Sequence, residues 1–441
     1  MVRQKLIKEE IYMTHSFRDW KDFNNISVKI YIKRKLFDAI LVVDNNKLIL
    51  KINMTKDLKE WRNTNKNYDI LSGKFLFNEE KIFFINCIYS GYSSRTNWST
   101  QKQENAFVEF IIDRIIISKD ISKNLLKRIT KYSASYKNLD LFNEFKPLKA
   151  NLKTFDYDSN ISDYKIQTAS YWLNIMFYCS YKESSNSISI NRQSHVEFEH
   201  IKGISISQIL KNIYIFKNFL MIILKQPIYI EKQTIYINDT PVELFDCSTQ
   251  DYLLENARLK EMVSHRCLKI ETIENIEDIY NNFITNYEQL YPLLELYYNV
   301  TQFNVPNLTR FINSTTMLEN YSRNYDFEAS FALTKSKYPK SQDVNYTDMI
   351  ISLITNVNEV FNYTIEEINS IANNIKSARI YYIHYKTKQS SKQLTYDEQF
   401  HYSYFIEDIV LLNIYKLIGL NISKYQYISF NEFYYDKYDF I

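Results

Sequence analysis

Two residues near the end of the chain have the types and spacing needed to cut RNA. Moving a phosphodiester bond from a 5′-oxygen to the neighbouring 2′-oxygen needs one group that transfers protons and one cation that offsets the phosphate charge. Histidine suits the first role because its proton exchanges near neutral pH. Arginine suits the second because its planar guanidinium grips phosphate oxygens. Arg379 and His384 supply both within six residues, so we take them as the candidate catalytic pair of a metal-independent endoribonuclease.

The geometry of this pair depends on where its helix ends. On an ideal helix, side chains five positions apart point about 140° away from each other. One continuous helix would therefore not aim both groups at a single phosphate. The polar run from Lys386 to Lys392 predicts that the helix ends here, with Arg379 in its last turn and His384 just past the end.

Ordinary structural roles explain the same residues. His384 is also suited to a helix C-cap, where the helix dipole favours its cation, and Arg379 is suited to a surface ion pair. A short spacing of this kind arises by chance, and Arg258-x6-His265 is a second match. That second match lies between the domains, and its separation of seven stacks both residues on one helical face as a solvated pair.

The first half of the chain has the period-two alternation of β-strands. Asp44-Asn45-Asn46 and Glu231–Gln233 each separate two such segments and predict hairpin turns, while Ile206–Leu224 has helical spacing. The predicted strands are Ser27–Arg34, Ala39–Val43, Leu48–Ile52, Lys74–Leu76, Lys81–Ile88, Phe107–Ile112, Ile115–Ile117, Ser187–Ile190, Val196–Phe198, Ile228–Ile230 and Thr234–Ile237.

After about residue 250 the apolar residues recur every three or four positions, as in helices. Thr364-x-x-Glu367 and Thr395-x-x-Glu398 are capping boxes, and Pro292 predicts a kink or a restart in the first long helix. Strands followed by helices indicate separate domains. We predict an α+β protein with a β-rich regulatory domain at 1–255 and a helical bundle at 256–441.

Composition excludes several kinds of site. The chain has 441 residues but only 4 glycines, all isolated, so no glycine-rich loop can cradle a nucleotide phosphate. Its four cysteines lie far apart and its six histidines lack paired spacing, so we expect no metal and no cofactor. The net charge of +3 confines any RNA contact to a local surface.

Nothing in the sequence predicts a membrane protein. The first twelve residues are charged and lack the apolar core of a signal peptide, and the apolar segment Ile213–Leu224 is too short to cross a bilayer. We therefore expect a cytoplasmic protein without membrane contact.

Residues 276–420 resemble the HEPN superfamily, whose nucleases carry an Arg-x(4–6)-His motif at the end of a late helix, followed by one more long helix. The motif segment Ser377–Tyr385 and the next predicted helix, Tyr396–Ile418, have this order. Among these proteins the chain is most similar to the ApeA-like anti-phage group, whose motif often reads Arg-Asn-x-x-x-His-Tyr. Arg379, His384 and Tyr385 match that motif, whereas Ile380 replaces its Asn.

Two further segments carry the resemblance. Met317–Arg323 resembles the second bundle helix of that group, and Tyr68–Ile88 resembles its N-terminal domain. The resemblance implies a homodimer that brings two motifs together and cuts single-stranded RNA or a tRNA loop, leaving a 2′,3′-cyclic phosphate. It also implies abortive infection triggered by a phage-derived activator. The alternatives are a non-catalytic HEPN-like dimer that binds RNA or protein, and the toxin of a toxin–antitoxin pair.

Glu319 and Tyr385 are the auxiliary candidates for this site. Glu319 is also four residues before Arg323, the spacing of a helical ion pair, which we favour. We favour packing over RNA stacking for Tyr381, Tyr382 and Tyr385, and structural or surface positions for the remaining histidines and basic residues considered: Lys33, Arg34, Lys35, Arg192, His195, His200 and His401.

Overall fold

A computed structural model describes most of the chain. The described residues are 20–32, 35–45, 47–54, 67–76, 80–97, 102–119, 121–142, 150–151, 156–157, 162–184, 187–226, 228–247, 268–302, 305–384 and 393–425. The predicted division between domains at 255/256 and the pair Arg258/His265 lie outside them, as do Lys33 and Arg34.

Six antiparallel strands close into a barrel at the start of the chain. Each strand pairs with two neighbours in the order β6-β3-β2-β1-β4-β5, and β5 pairs again with β6. Their alternate side chains point inward and form a separate buried cluster. The strands are β1 (Ile26–Ile32), β2 (Lys35–Asp44), β3 (Lys47–Asn53), β4 (Tyr68–Phe75), β5 (Lys81–Asn97) and β6 (Lys102–Ser118).

A second antiparallel sheet continues from the barrel, because β14 pairs with β6. Its order is β10-β11-β12-β7-β13-β14, and β8 and β9 form a small separate ribbon. The strands are β7 (Ile129–Lys137), β8 (Ala150–Asn151), β9 (Asp156–Tyr157), β10 (Ser162–Gln167), β11 (Tyr171–Ser184), β12 (Ser187–Ile204), β13 (Tyr229–Ile237) and β14 (Thr240–Asp246).

The strand pattern is confirmed, but one predicted turn is wrong. The segment Glu231–Gln233 lies inside the single strand β13, where a register shift between Ile230 and Lys232 interrupts the alternation. The hairpin turn comes later, at Asn238 and Asp239, whose φ angles of 49° and 63° are left-handed. Asn and Asp tolerate that conformation better than most residues, which is why the chain reverses there.

Helix α1 (Ile206–Leu224) lies against the second sheet, as predicted. By length and composition α1 is the one helix in the described part of the chain that could cross a membrane. The whole helix is long enough because it starts at Ile206, before the apolar segment Ile213–Leu224 that the sequence marks as too short. Most of its residues are buried within the protein, which is the environment of a core helix. Ser205 caps its first turn by accepting a hydrogen bond from the Gln208 backbone N–H.

Seven further helices follow among the described residues of the C-terminal third. They are α2 (Ile276–Gln302), α3 (Asn307–Tyr325), α4 (Phe327–Lys337), α5 (Tyr346–Asn356), α6 (Asn358–Phe361), α7 (Ile365–His384) and α8 (Tyr396–Leu417). Short 3-10 turns occur at Trp20–Phe23, Leu125–Lys127, Leu139–Phe142, Ile270–Thr272 and Ile422–Tyr425.

Both predicted capping boxes are confirmed. Thr364 and Glu367 exchange reciprocal hydrogen bonds of 2.6 and 3.3 Å before α7, and Thr395 and Glu398 do the same before α8. The restart predicted at Pro292 is wrong, because α2 continues through it. Buried leucines on both sides of Pro292 offset the hydrogen bond that proline cannot make.

The second sheet, α1 and the helical bundle share one buried core. Lys225, just after α1, pairs with Asp408 of α8 at 3.1 Å. In the same interface the Tyr415 hydroxyl donates to the Ile222 carbonyl at 2.5 Å. The bundle is therefore fixed directly against the β-rich half of the protein.

Candidate active site

Arg379 lies one turn before the end of α7, and residues of two other helices hold its guanidinium. Nη2 donates to Glu319 Oε2 on α3 at 2.5 Å. The guanidinium carbon lies 4.2 Å from the centre of the Tyr346 ring on α5, a cation–π distance. Nε is buried and has no hydrogen-bond partner among the described residues. The Arg379 side chain remains 23 % exposed, so its charge is fixed in place but still reaches the surface.

Glu319 binds two arginines at once. One carboxylate oxygen accepts from Arg379, and the other accepts from Arg323 Nε at 3.1 Å. The predicted ion pair between Glu319 and Arg323 is thus confirmed, and Arg323 also reaches Asp343 at 3.3 Å. The surface ion pair considered for Arg379 is present too, with the auxiliary candidate Glu319 as its partner.

Tyr346 is the first residue of α5 and is itself held firmly. Its hydroxyl donates to the backbone carbonyl of Thr315 at 3.1 Å. Burial raises the pKa of Tyr346, so the phenol stays neutral beside the arginine. Thr315 and Glu319 are four residues apart on α3, so one face of that helix binds the Tyr346 hydroxyl through Thr315 and the Arg379 guanidinium through Glu319.

The expected helix end is wrong. Helix α7 continues to His384 as its last residue, so Arg379 and His384 belong to one helix, five positions apart. Positions five apart on an ideal helix are separated by about 140° around its axis. The segment between them, Ile380 to Ile383, contains no helix breaker, and its packing against α8 stabilises the extra turn. The His384 side chain and Tyr385 lie outside the described part of the chain.

Tyr382, between the two motif residues, provides that packing. Its hydroxyl donates to the Leu394 carbonyl and accepts from the Leu394 backbone N–H, each at 3.0 Å. Gln399 Nε2 of α8 donates to the same oxygen at 3.1 Å. Packing of Tyr382 is confirmed, and this side chain fixes the end of α7 against the start of α8.

A buried ion pair holds α3 against α8. Arg310 donates from Nε and Nη2 to the two carboxylate oxygens of Glu407, at 2.8 and 2.6 Å. Ser314 donates to Glu407 at 2.9 Å, and Tyr404 lies over the guanidinium at 3.8 Å. Sequence reasoning missed this pair, because its members are 97 residues apart and no local spacing connects them.

Comparison with known proteins gives two family matches. Residues 29–287, more than half of the chain, match the model of ApeA N-terminal domain 1. Residues 312–424 match the model of the Apea-like HEPN domain. The chain belongs to the ApeA-like HEPN family. No curated protein and no solved structure matched the chain.

Membership in the ApeA-like HEPN family confirms the predicted resemblance and the predicted fold class, a β-rich region followed by a HEPN helical region. It indicates a HEPN protein of anti-phage defence, and HEPN domains are generally nucleases. The matched HEPN segment contains Glu319, Tyr346, Arg379 and Tyr382, so the contacts of Arg379 with Glu319 and Tyr346 lie inside the matched domain.

Other residues considered from the sequence lie elsewhere in this family fold. His195 is partly exposed, 3.7 Å from Glu197, and burial lowers its pKa. His401 is partly buried on α8, and burial lowers its pKa as well. The surface position expected for His200 is wrong, since it is only 7 % exposed and packs against the Tyr171 ring. The Arg192 side chain lies outside the described part.

Proposed function

We propose that this protein is a metal-independent endoribonuclease of the HEPN type that cuts host RNA during phage infection. One observation carries the proposal: Arg379, which lies within the segment that matches the HEPN domain, has a guanidinium fixed by two neighbours yet partly open to solvent. A fixed cation at the surface is what stabilises developing phosphate charge without costly reorganisation.

The chemistry follows from the two side-chain types. His384 acts as general base or acid: a proton leaves the 2′-hydroxyl, the 2′-oxygen attacks phosphorus, and the 5′-oxygen leaves and takes up a proton. Arg379 stabilises the charge on the phosphate oxygens through its N–H donors. The products are a 2′,3′-cyclic phosphate and a 5′-hydroxyl. Tyr385 follows His384 directly and is an auxiliary candidate.

A homodimer would bring an arginine and a histidine together although Arg379 and His384 lie on one continuous helix. Because side chains five positions apart diverge by about 140° on one helix, a single copy does not aim both groups at one phosphate. Two copies related by a twofold axis present Arg379 of one copy and His384 of the other to the same phosphate. Ile383, next to His384, is 42 % exposed and supplies apolar surface for such an interface.

The β-rich half then regulates the nuclease. Its helix α1 contacts α2 and α8 directly, for example through the Asn218 amide and the Tyr287 hydroxyl at 2.8 Å. A phage-derived activator that shifts this half would therefore move helices that frame the site, and cutting host RNA would block the phage. We place the protein in the cytoplasm with single-stranded RNA, or a tRNA loop, as substrate, because unpaired nucleotides leave the 2′-oxygen free to align.

Two observations favour a second candidate, a non-catalytic HEPN-like dimer. Glu319 balances the charge of Arg379, and a continuous helix separates Arg379 from His384. In that case the pair serves only structure, and the domain binds RNA or protein without cutting it.

Replacing each motif residue by alanine separates these candidates. Arg379→Ala and His384→Ala are compared with Arg323→Ala, a matched control, since Arg323 also binds Glu319 but lies outside the motif. RNA is taken from phage-infected cells that express each variant, and the same variants are purified and incubated with single-stranded RNA. We expect the motif variants to lose cleavage by at least about 100-fold and Arg323→Ala by only a few-fold. Equal RNA patterns for wild type and all three variants would establish the non-catalytic candidate.

A further inference from the structure

The ring of Tyr346 contacts Arg379, one of the two side chains on which the proposed chemistry depends. Arg379 reaches the surface between α3 and α5, where one nitrogen of its guanidinium donates to Glu319 and its central carbon lies over the Tyr346 ring at 4.2 Å. These two contacts differ in kind. A hydrogen bond to one nitrogen leaves rotation about that bond free, whereas a ring against the face defines the plane of the guanidinium.

The Tyr346 ring is well suited to define that plane, because its own contacts prevent it from moving with the arginine side chain. The Tyr346 hydroxyl is bound to the Thr315 carbonyl at 3.1 Å, so both ends of the side chain are held. The backbone of Tyr346 is fixed by the start of α5, where the Asn345 side chain accepts from the Thr347 N–H at 3.0 Å. The ring therefore provides a rigid surface beneath a long and otherwise flexible side chain.

We propose that Tyr346 is a positioning residue for Arg379, orienting the guanidinium so that its N–H edge meets the scissile phosphate. The inference rests on the proposed function. A phosphate accepts hydrogen bonds in the guanidinium plane, while the ring occupies only the face. The two interactions are thus compatible, and the ring reduces the loss of arginine side-chain freedom when RNA binds.

Removing the ring should lower the rate of cleavage more than it weakens RNA binding. For Tyr346→Leu we expect kcat to fall about 10- to 100-fold, with KM changing by less than about threefold, because a misplaced catalytic group costs mainly transition-state stabilisation. Tyr346→Phe keeps the ring and loses only the hydroxyl, so its kcat should stay within about fivefold of wild type.

Tyr321→Leu is the matched control. Tyr321 is also buried in the bundle, and its hydroxyl also donates to a backbone carbonyl, that of Asn413 at 3.0 Å. It stacks on Tyr325 instead of on an arginine. Both leucine variants should lower the melting temperature similarly, but only Tyr346→Leu should lower kcat. If Tyr346→Leu does not fold, Tyr346→Met keeps apolar volume without an aromatic face and takes its place.

The effect must also depend on the guanidinium. In an Arg379→Lys background, where no planar group remains to be oriented, replacing Tyr346 should change kcat by less than about threefold. Equal kcat losses in the wild-type and Arg379→Lys backgrounds, or equal kcat for Tyr346→Leu and Tyr321→Leu, would overturn the inference and leave the proposed function intact. Wild-type cleavage by Arg379→Ala would instead overturn the proposed function itself.

Discussion

Replacing Glu407 by glutamine should destabilise the helical bundle strongly. The Glu407 side chain is 4 % exposed and its partner Arg310 is 16 % exposed. Three hydrogen bonds reach the carboxylate, two from Arg310 and one from Ser314. Burial alone lowers the pKa of Arg310, but the charge and hydrogen bonds of Glu407 outweigh burial and raise it above its usual value. Arg310 therefore stays charged and depends on Glu407.

The expected loss is about 3–5 kcal/mol in the free energy of unfolding, the range for breaking one side of a buried ion pair. Glutamine retains the shape of glutamate but not its charge, so a buried cation is left without a counter-charge. Removing both charges together, with Arg310→Met and Glu407→Leu, should cost less than Glu407→Gln alone, because no charge then remains buried.

Urea unfolding followed by circular dichroism measures these differences. Glu319→Gln serves as the control, because its ion pairs are more exposed and should contribute about 1 kcal/mol or less. The reasoning is refuted if Glu407→Gln costs no more than Glu319→Gln, or if the double replacement costs as much as the single one.

Three further replacements test other parts of the fold. Thr395→Ala removes half of the capping box of α8 and should lower the free energy of unfolding in urea by about 1 kcal/mol. An unchanged free energy of unfolding would show that this cap does not stabilise the protein. Burial lowers the pKa of His200 from 6.5 to about 4, so between these pH values the folded protein binds fewer protons than the unfolded chain. The stability of the wild-type protein should therefore fall as the pH drops from 6.5 towards 4, and His200→Phe should fall less. Equal pH dependence of the melting temperature in wild type and His200→Phe would contradict this. Gly73→Ala puts a methyl group 2.4 Å from the Lys29 carbonyl oxygen, so the melting temperature should fall by several degrees, and an unchanged value would exclude this close approach.

Local signals in the sequence predicted the elements that frame the site. The capping boxes at Thr364 and Thr395 begin α7 and α8 as expected, since each depends on residues only three positions apart. The bounds of α1 were also predictable, because nineteen residues of helical spacing leave little ambiguity. Short motif matches at Arg379 and Glu319 then indicated the correct family.

Contacts between distant segments could not be predicted in this way. The Arg310–Glu407 ion pair and the cation–π contact between Arg379 and Tyr346 each join residues of different helices, and no periodicity within one helix connects them. The end of α7 was predicted too early for the same reason, because Tyr382 gains its partners from the start of α8. Tertiary packing here decides where a locally ambiguous helix stops.

The strand pattern shows the same limit. Alternation marked parts of β12 and β13 correctly but divided each strand in two. In β13 a register shift between Ile230 and Lys232 disturbs the period of two. In β12 the polar run from Asn191 to His195 hides the alternation, although this segment pairs with β11 without interruption. The turn at Asn238 and Asp239 was missed because a polar segment at Glu231–Gln233 looked like a turn of equal strength. Pairing with β7 keeps that segment extended.

The chemical ends of the RNA fragments test the central claim most directly. Fragments produced by the wild-type protein in the presence of EDTA should carry a 2′,3′-cyclic phosphate and a 5′-hydroxyl, and these ends should disappear with Arg379→Ala and His384→Ala. Fragments with a 3′-hydroxyl and a 5′-phosphate, or cleavage that EDTA abolishes, would show that another group attacks the phosphate and that the Arg379/His384 account is wrong.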